Sequence, residues 1–365
     1  MPPPPAGARH ATGVPHPGRC HAGGSAWREG APVPPVPVLA RSVDLLLEAA
    51  VVPGFTRPGF HLRRYLDDWE DLTAYRMDGR NVLITGATRG IGKLAATVLA
   101  RLGASVHSLS RSEDSARAAE AEIRAAAGTD DVHIDVADLS RPQEVEAFAE
   151  RYAADHDHLD VLVHNAGAFF GQHTVTDDGL EANAATYVYG PFVLTSALAG
   201  RLQAADHGRI VTVSTGGAYT QKLDVDGLEA DPDGYRPLLA YAQTKRAQIA
   251  LTHQWAQRLP SVSAHAMQPG WTRTGLVEEG LPTFRKVMGP LLRDTRMAAD
   301  TLVYLSVADE PARTTGELWR DRRRRSEHRV PWTRYAPSEE DRLWARCEER
   351  TGHRSRIEVV AAPAG

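Results

Sequence analysis

From residue 81 onward the chain alternates between short apolar runs and longer stretches in which apolar residues recur every three or four positions. The runs at 81–85, 104–109, 132–134, 161–163, 209–213 and 262–267 read as strands, and 91–102, 112–127, 141–154, 179–202 and 241–258 as helices. Strands that alternate with helices of this length predict βαβ units, a parallel sheet and right-handed crossovers. The expected fold is therefore α/β, a single doubly wound parallel-sheet Rossmann domain over 80–309, with an N-terminal arm over 41–79 and a basic C-terminal extension over 310–365.

Residues 1–40 hold ten of the 24 prolines and six glycines, and read as a disordered tail. In the arm, 42–52 reads as a short helix with Ser42 as its cap and Pro53-Gly54 as its stop. Its apolar cluster, Leu45, Leu46, Leu47, Val51 and Val52, is expected to pack on the body rather than to lie on a membrane, because no basic face accompanies it. In the extension, Arg322-Arg323-Arg324-Arg325 reads as a solvated run. Residues 338–349 read as a terminal helix capped by Ser338, with Leu343, Trp344 and Cys347 as its apolar edge.

With 42% hydrophobic and 24% charged residues, the 365-residue chain has the balance of a globular enzyme. Its net charge of −4 gives no global support to a nucleic-acid partner. The charge is uneven: about +4 beyond residue 310 and −10 over 41–310. Two distant cysteines, Cys20 and Cys347, argue against a disulfide framework or a cysteine-rich zinc site. No run reaches the ~18 apolar residues of a membrane span, and no charged-then-apolar secretory pattern opens the chain, so a cytoplasmic place is expected. His156 and His158, between Asp155, Asp157 and Asp160, read as a solvated loop rather than a metal site.

Candidate chemistry begins after the first strand, at Thr85-Gly86-Ala87-Thr88-Arg89-Gly90-Ile91-Gly92. Gly86 permits a tight turn, Gly90 lets the backbone approach a pyrophosphate, and Gly92 lets helix and strand pack closely. The helix that opens there offers unpaired N–H groups to phosphates. The second strand ends in Ser110-Arg111 without the acid that would bind an NAD ribose. Arg111 and Arg89 would instead attract a 2′-phosphate, so NADP(H) is preferred, with NAD(H) as the second choice. Tyr241 and Lys245 stand at i and i+4 on one helix face. A nearby ammonium favours the phenolate, which would let Tyr241 work as acid or base.

These elements resemble the short-chain dehydrogenase/reductase family, in order, over about 200 residues: the glycine loop, Asp138-Leu139, His164-Asn165-Ala166-Gly167, the Tyr-x-x-x-Lys pair, and Pro269-Gly270 followed by Thr272 and Thr274. Further stretches, 216–223, 252–257 and 319–322 among them, resemble one subgroup of that family. The resemblance implies NAD(P)-dependent interconversion of a carbonyl and an alcohol. Asp138, Leu139, Asn165, Ala166 and Gly167 would border the adenine side, and Pro269, Gly270, Thr272 and Thr274 the nicotinamide. Lys245 would also hold the ribose. The family's catalytic serine falls on Thr215, with Ser214 as the alternative. The family's relay asparagine falls on Tyr187, a departure that also admits a cofactor-binding, redox-sensing or scaffold protein with little turnover. Family members pair through the long helix and the Tyr-Lys helix, so a homodimer is admitted, although an extended C terminus can block that surface. The loop 220–240 and the segment 275–293, with Leu276, Val277, Leu281, Phe284, Val287, Met288 and Leu291, are expected to cover a small apolar or lipid-like carbonyl or alcohol substrate.

Overall fold

Val82, Leu83 and Ile84 are all fully buried, although consecutive residues of a strand face opposite sides of a sheet. Both faces must therefore be covered, as in parallel α/β sheets. The computed structural model describes residues 38–273, 282–354 and 357. Its strands are β1 (Asn81–Thr85), β2 (Ser105–Ser110), β3 (Val132–Val136), β4 (Val161–His164), β5 (Arg209–Val213), β6 (Ser263–Met267), β7 (Glu317–Arg320) and β8 (Arg323–Arg325), in the sheet order β3-β2-β1-β4-β5-β6-β7-β8. All neighbours pair in parallel except β7 and β8. The order reverses between β1 and β4, which opens a crevice at their carboxyl ends.

The arm contains α1 (Val38–Ala49), α2 (Val52–Phe55) and α3 (Arg57–Leu66). One face of the sheet carries α4 (Gly90–Arg101) and α5 (Glu113–Ala127), with Leu99 and Ile123 in the core. The opposite face carries α6 (Pro142–Asp155), with Phe148 in the core. The predicted long helix over 179–202 is broken into α7 (Ala182–Ala184), a π-helical turn over Ala185–Tyr189, and α8 (Gly190–Ala204). Pro191 explains the break: it has no N–H for the Tyr187 carbonyl four residues earlier, and its ring would collide with that carbonyl in a regular helix. Gly190 passes so close to Leu139 that a Cβ would lie 1.9 Å from the Leu139 carbonyl oxygen. After it come α9 (Pro237–Arg258), α10 (Pro282–Met288), α11 (Thr295–Val307), α12 (Asp309–Ala312) and α13 (Pro337–Thr351).

Five expectations need correction. The sheet does not end at 309: β7 adds to β6, and the fully buried Trp319 donates from Nε1 to His265 Nδ1 at 3.1 Å. The basic run is not a solvated face. Arg325 binds Asp44 at 2.6 Å, Arg323 binds Asp67, and Arg322 binds Asp300 at 2.8 Å. Only Arg324 is exposed. Asp321 and Arg322 adopt φ of 53° and 51°, the left-handed conformation that a two-residue hairpin turn needs. In α1 the apolar cluster is split: Leu47 is half-buried, but Leu45 and Leu46 remain 70% and 71% exposed. The helix instead turns Asp44 and Glu48 inward to buried Arg63, at 2.7 and 2.8 Å. Helix α13 starts at Pro337 with Ala336 as its cap, not Ser338. A proline at the first turn loses no hydrogen bond there. Of the tail expected over 1–40, residues 38–40 instead open α1, with Ala40 buried; residues 1–37, Thr274, Leu276, Val277 and Leu281 lie outside the described residues.

Candidate active site

The loop between β1 and α4 is fixed across the switch point by Asn165. Its Nδ2 donates to the Thr85 and Gly86 carbonyls at 3.1 and 3.2 Å, while Thr85 Oγ1 accepts the Asn165 and Ala166 N–H groups. Gly92 sits where a Cβ would lie 2.3 Å from Asn165 Nδ2, so this approach requires glycine. Gly90, at φ +60°, faces open space, which leaves its backbone free to meet a ligand. Every described position expected to be catalytic or to bind the cofactor, except Gly92, lines one cavity of about 1680 Å³. Thr88, Arg89, Gly90 and Ile91 border it on the loop side, with Arg111, Asp138 and Leu139 beyond, and Pro269, Gly270 and Thr272 on the side of β6. Asp138 Oδ1 accepts from the Ser140 backbone and hydroxyl at 2.9 and 2.8 Å, so this carboxylate helps shape the turn. Arg89 and Arg111 are exposed, and neither has a hydrogen-bond or ion-pair partner among the described residues.

Toward the centre, α9 presents Tyr241 and Lys245. Thr215 stands beside the Tyr241 phenol in the cavity and accepts from the Gly217 N–H at 3.4 Å, whereas Ser214 turns to donate to the Lys245 carbonyl at 3.1 Å. Geometry thus separates the two hydroxyls. Burial pushes Tyr241 up to about 12, opposed by the nearby Thr215 hydroxyl. Burial also draws Lys245 down to about 7. The expected ammonium–phenol arrangement is not the one seen: Lys245 Nζ donates to the Val213 carbonyl at 2.7 Å and lies 4.4 Å from the Tyr187 ring centroid, against 5.8 Å for Tyr241. Tyr187 donates from its hydroxyl to the Ala168 carbonyl at 2.6 Å and meets the Tyr241 ring edge-on at 5.4 Å. Gly167 allows this, since a Cβ there would lie 2.8 Å from the Tyr187 hydroxyl.

The cavity also has walls that periodicity did not identify. Val51 and Phe55 come from the arm, Tyr219 follows β5, and Arg329 and Val330 follow β8. The Phe55 carbonyl accepts from Trp271 N–H at 2.8 Å, and its ring lies 5.5 Å from Trp271 and 6.1 Å from Tyr219. The sequence signal for this docking was charge: Asp44 and Glu48, one turn apart on α1, against the distant arginine run. Phe284 lines the cavity from α10, as expected, whereas Val287 is 71% exposed.

Comparison with known proteins agrees with this architecture. Residues 80–283 match the sequence profile of the short chain dehydrogenase family, more than half of the chain. The chain belongs to the short-chain dehydrogenases. It is similar to dehydrogenase/reductase SDR family member 12 of Bos taurus, 36% identical over 277 residues that cover 75% of this chain and 87% of that protein. It is also similar to retinol dehydrogenase 12 of Bos taurus, 32% identical over 253 residues, 68% of this chain and 80% of the relative. Among solved structures, a protein from Mycobacterium paratuberculosis aligns with a TM-score of 0.63 at 27% identity, over 78% of this chain and 98% of that one. A short chain dehydrogenase from Salmonella enterica serovar Typhi aligns at 0.55 and 26%, over 70% and 99%. As a short-chain dehydrogenase the chain is an oxidoreductase with an NAD(P)-binding Rossmann fold. No described helix of this short-chain dehydrogenase is long and apolar enough to cross a membrane.

Proposed function

We propose that the protein is an NADP(H)-preferring carbonyl reductase, with Tyr241 as the proton donor, Thr215 as the second hydroxyl on the substrate oxygen, and Lys245 as the cation that holds the ribose. The observation that carries this reading is that Thr215, Tyr241 and Lys245 line the same cavity as the glycine loop. The residues present fit a dinucleotide phosphate. Gly90 is open, the N-terminus of α4 faces the same space, and Arg89 and Arg111 have no competing partner among the described residues. The bound nicotinamide would supply the hydride chemistry, and the protein would supply position and proton.

A phenol held near 12 is protonated at neutral pH, which suits donation to a developing alkoxide better than abstraction from an alcohol. Thr215 keeps a hydroxyl donor in the serine's place, and it borders the same cavity as Tyr241, where both can reach one substrate oxygen. Trp271, Phe284, Phe55 and Tyr219 give the substrate end an apolar wall, which supports an apolar or lipid-like carbonyl compound. The similarity to a protein named retinol dehydrogenase points the same way. NADPH oxidation across a panel of carbonyls, with Tyr241→Phe as control, tests the reading. Tight NADPH binding without turnover on any of them would favour a cofactor-binding sensor or scaffold instead.

The family's pairing surface supports a monomer rather than a homodimer here. Helix α13 lies on α9, with Trp344 4.9 Å from Phe192 and 4.7 Å from Trp255. The Arg258 guanidinium stacks 3.9 Å over Trp344, and Glu340 binds His253 at 2.7 Å.

A further inference from the structure

The described residues that line the cavity include five cations and one carboxylate. Arg89 and Arg111 belong with the phosphate loop, and Lys245 with Tyr241. Arg273 and Arg329 are left over. They follow β6 and β8, and the sheet order puts them across the β1/β4 switch point from Arg111 and Asp138, which follow β2 and β3. Cofactor phosphates held at the loop therefore do not account for them.

Arg329 belongs to a network that leaves its charge unmatched. Arg63, Arg293, Arg320, Arg323, Arg325 and Arg329 surround Asp44, Glu48, Asp67 and Asp321, an excess of two positive charges. Three of these arginines keep buried N–H groups without a hydrogen-bond partner among the described residues: Nε of Arg293, Nε and Nη1 of Arg320, and Nη1 of Arg329. Arg329 Nη2 donates to the Glu48 carbonyl, but its Nη1 stands 3.6 Å from Glu48 Oε2, too far for a hydrogen bond. Its guanidinium lies 5.3 Å from the Phe55 ring and 5.5 Å from the Tyr219 ring, both of them cavity walls. A buried donor left unsatisfied costs free energy that an incoming acceptor restores. Arg273 donates from Nη2 to the Gly289 carbonyl at 3.1 Å and is otherwise exposed at the rim.

We infer that the substrate is an oxo acid, an apolar carbonyl compound that ends in a carboxylate, and that Arg329, with Arg273 at the rim, receives that carboxylate. This rests on the carbonyl-reductase reading and narrows it. One guanidinium whose Nη1, 3.6 Å from Glu48 Oε2, holds no hydrogen bond among the described residues, and one rim cation, suit a monoanion. The aromatic wall between them and Thr215 suits an aliphatic or aromatic body.

Binding and turnover are tested separately. Calorimetry on the full chain loaded with NADP+ compares octanoate with methyl octanoate, neither of which needs a reaction to bind. Octanoate should bind about tenfold more tightly, the order expected of a charge-assisted hydrogen bond. That advantage should shrink as salt rises, disappear in Arg329→Gln and survive in Arg329→Lys. Equal affinities for acid and ester, or an advantage unchanged in a folded Arg329→Gln variant, would overturn the inference. Should the glutamine variant lose the arm and unfold, the salt titration of the parent protein still decides: an acid preference indifferent to salt contradicts it. NADPH oxidation with 8-oxooctanoate and octanal then separates the two levels. Octanoate binding without reduction of any carbonyl would sink the reductase reading alone. Reduction of both compounds with equal KM would sink the acid site alone.

Discussion

Lys245 Nζ lies 4.4 Å from the centroid of the Tyr187 ring, closer than to the ring of Tyr241. The two contacts of Tyr187, its hydroxyl on the Ala168 carbonyl and its ring under the lysine, make it a brace between the π-turn and the loop after β4. Burial holds its phenol well above the ordinary range, so it is not a proton acceptor at neutral pH. Tyr187→Phe should cost about 1 kcal/mol through the lost hydrogen bond and leave kcat nearly unchanged. Tyr187→Asn should restore a relay group and raise kcat, with a stability loss of about 2–5 kcal/mol from the vacated volume. Steady-state kinetics beside thermal melts check both. A stable, NADPH-binding Tyr187→Asn protein without a gain in kcat would mean that proton supply does not limit turnover.

Coenzyme choice is the second point. NADPH should bind more tightly than NADH, because Arg89 and Arg111 have no hydrogen-bond or ion-pair partner among the described residues. Arg111→Asp should reverse the order, and rising salt should narrow it in the parent protein. Fluorescence titration with both coenzymes gives the ratio. Equal affinities in the parent chain would remove the assignment.

Lys245 should link cofactor binding to protons. Burial draws its ammonium down to about 7, and the negative charge of a bound cofactor would raise it again. At pH 8 binding should therefore take up protons, visible as a dependence of calorimetric heat on buffer ionisation enthalpy. Lys245→Met should abolish that dependence. Proton release on binding would contradict the assignment.

Acid should loosen the arm before it affects the sheet. Asp321 is buried, and the arginines around it, Arg293 first, hold its carboxyl below its ordinary 3.8, at about 2. A depressed carboxylate contributes stability above its unfolded value and loses it as pH falls through the folded one, here between about 4 and 2. Asp321→Asn should cost about 3–5 kcal/mol, since it leaves the buried Arg293 without a carboxylate partner among the described residues and removes one of three from Arg63. Melting curves from pH 7 to pH 2 follow the parent protein, and a flat profile below pH 4 would exclude the coupling.

The sheet was legible because its strands are short, apolar and bounded by turns, and β1 and β5 fall where the pattern placed them. The glycine loop was legible because each glycine has its own geometric reason. The π-turn was not, because the effect of Pro191 on the Tyr187 carbonyl looks in sequence like ordinary helix. The β7–β8 hairpin was hidden by its composition, since four successive arginines suggest solvent unless their partners on α1 are known. Hydrophobic periodicity cannot show that Asp44 and Glu48 face inward. That choice depends on residues nearly 300 positions away.

The most direct test uses NADPH carrying deuterium at the transferring position of the nicotinamide. It is incubated with the protein and a carbonyl panel that includes octanal and 8-oxooctanoate, with products read by mass spectrometry. The predicted result is one deuterium on the carbinol carbon, with the rate falling by about 10²–10⁴ in Tyr241→Phe while NADPH affinity is retained. Saturated NADPH binding with no label in any product, or the same labelling rate in Tyr241→Phe, would contradict it.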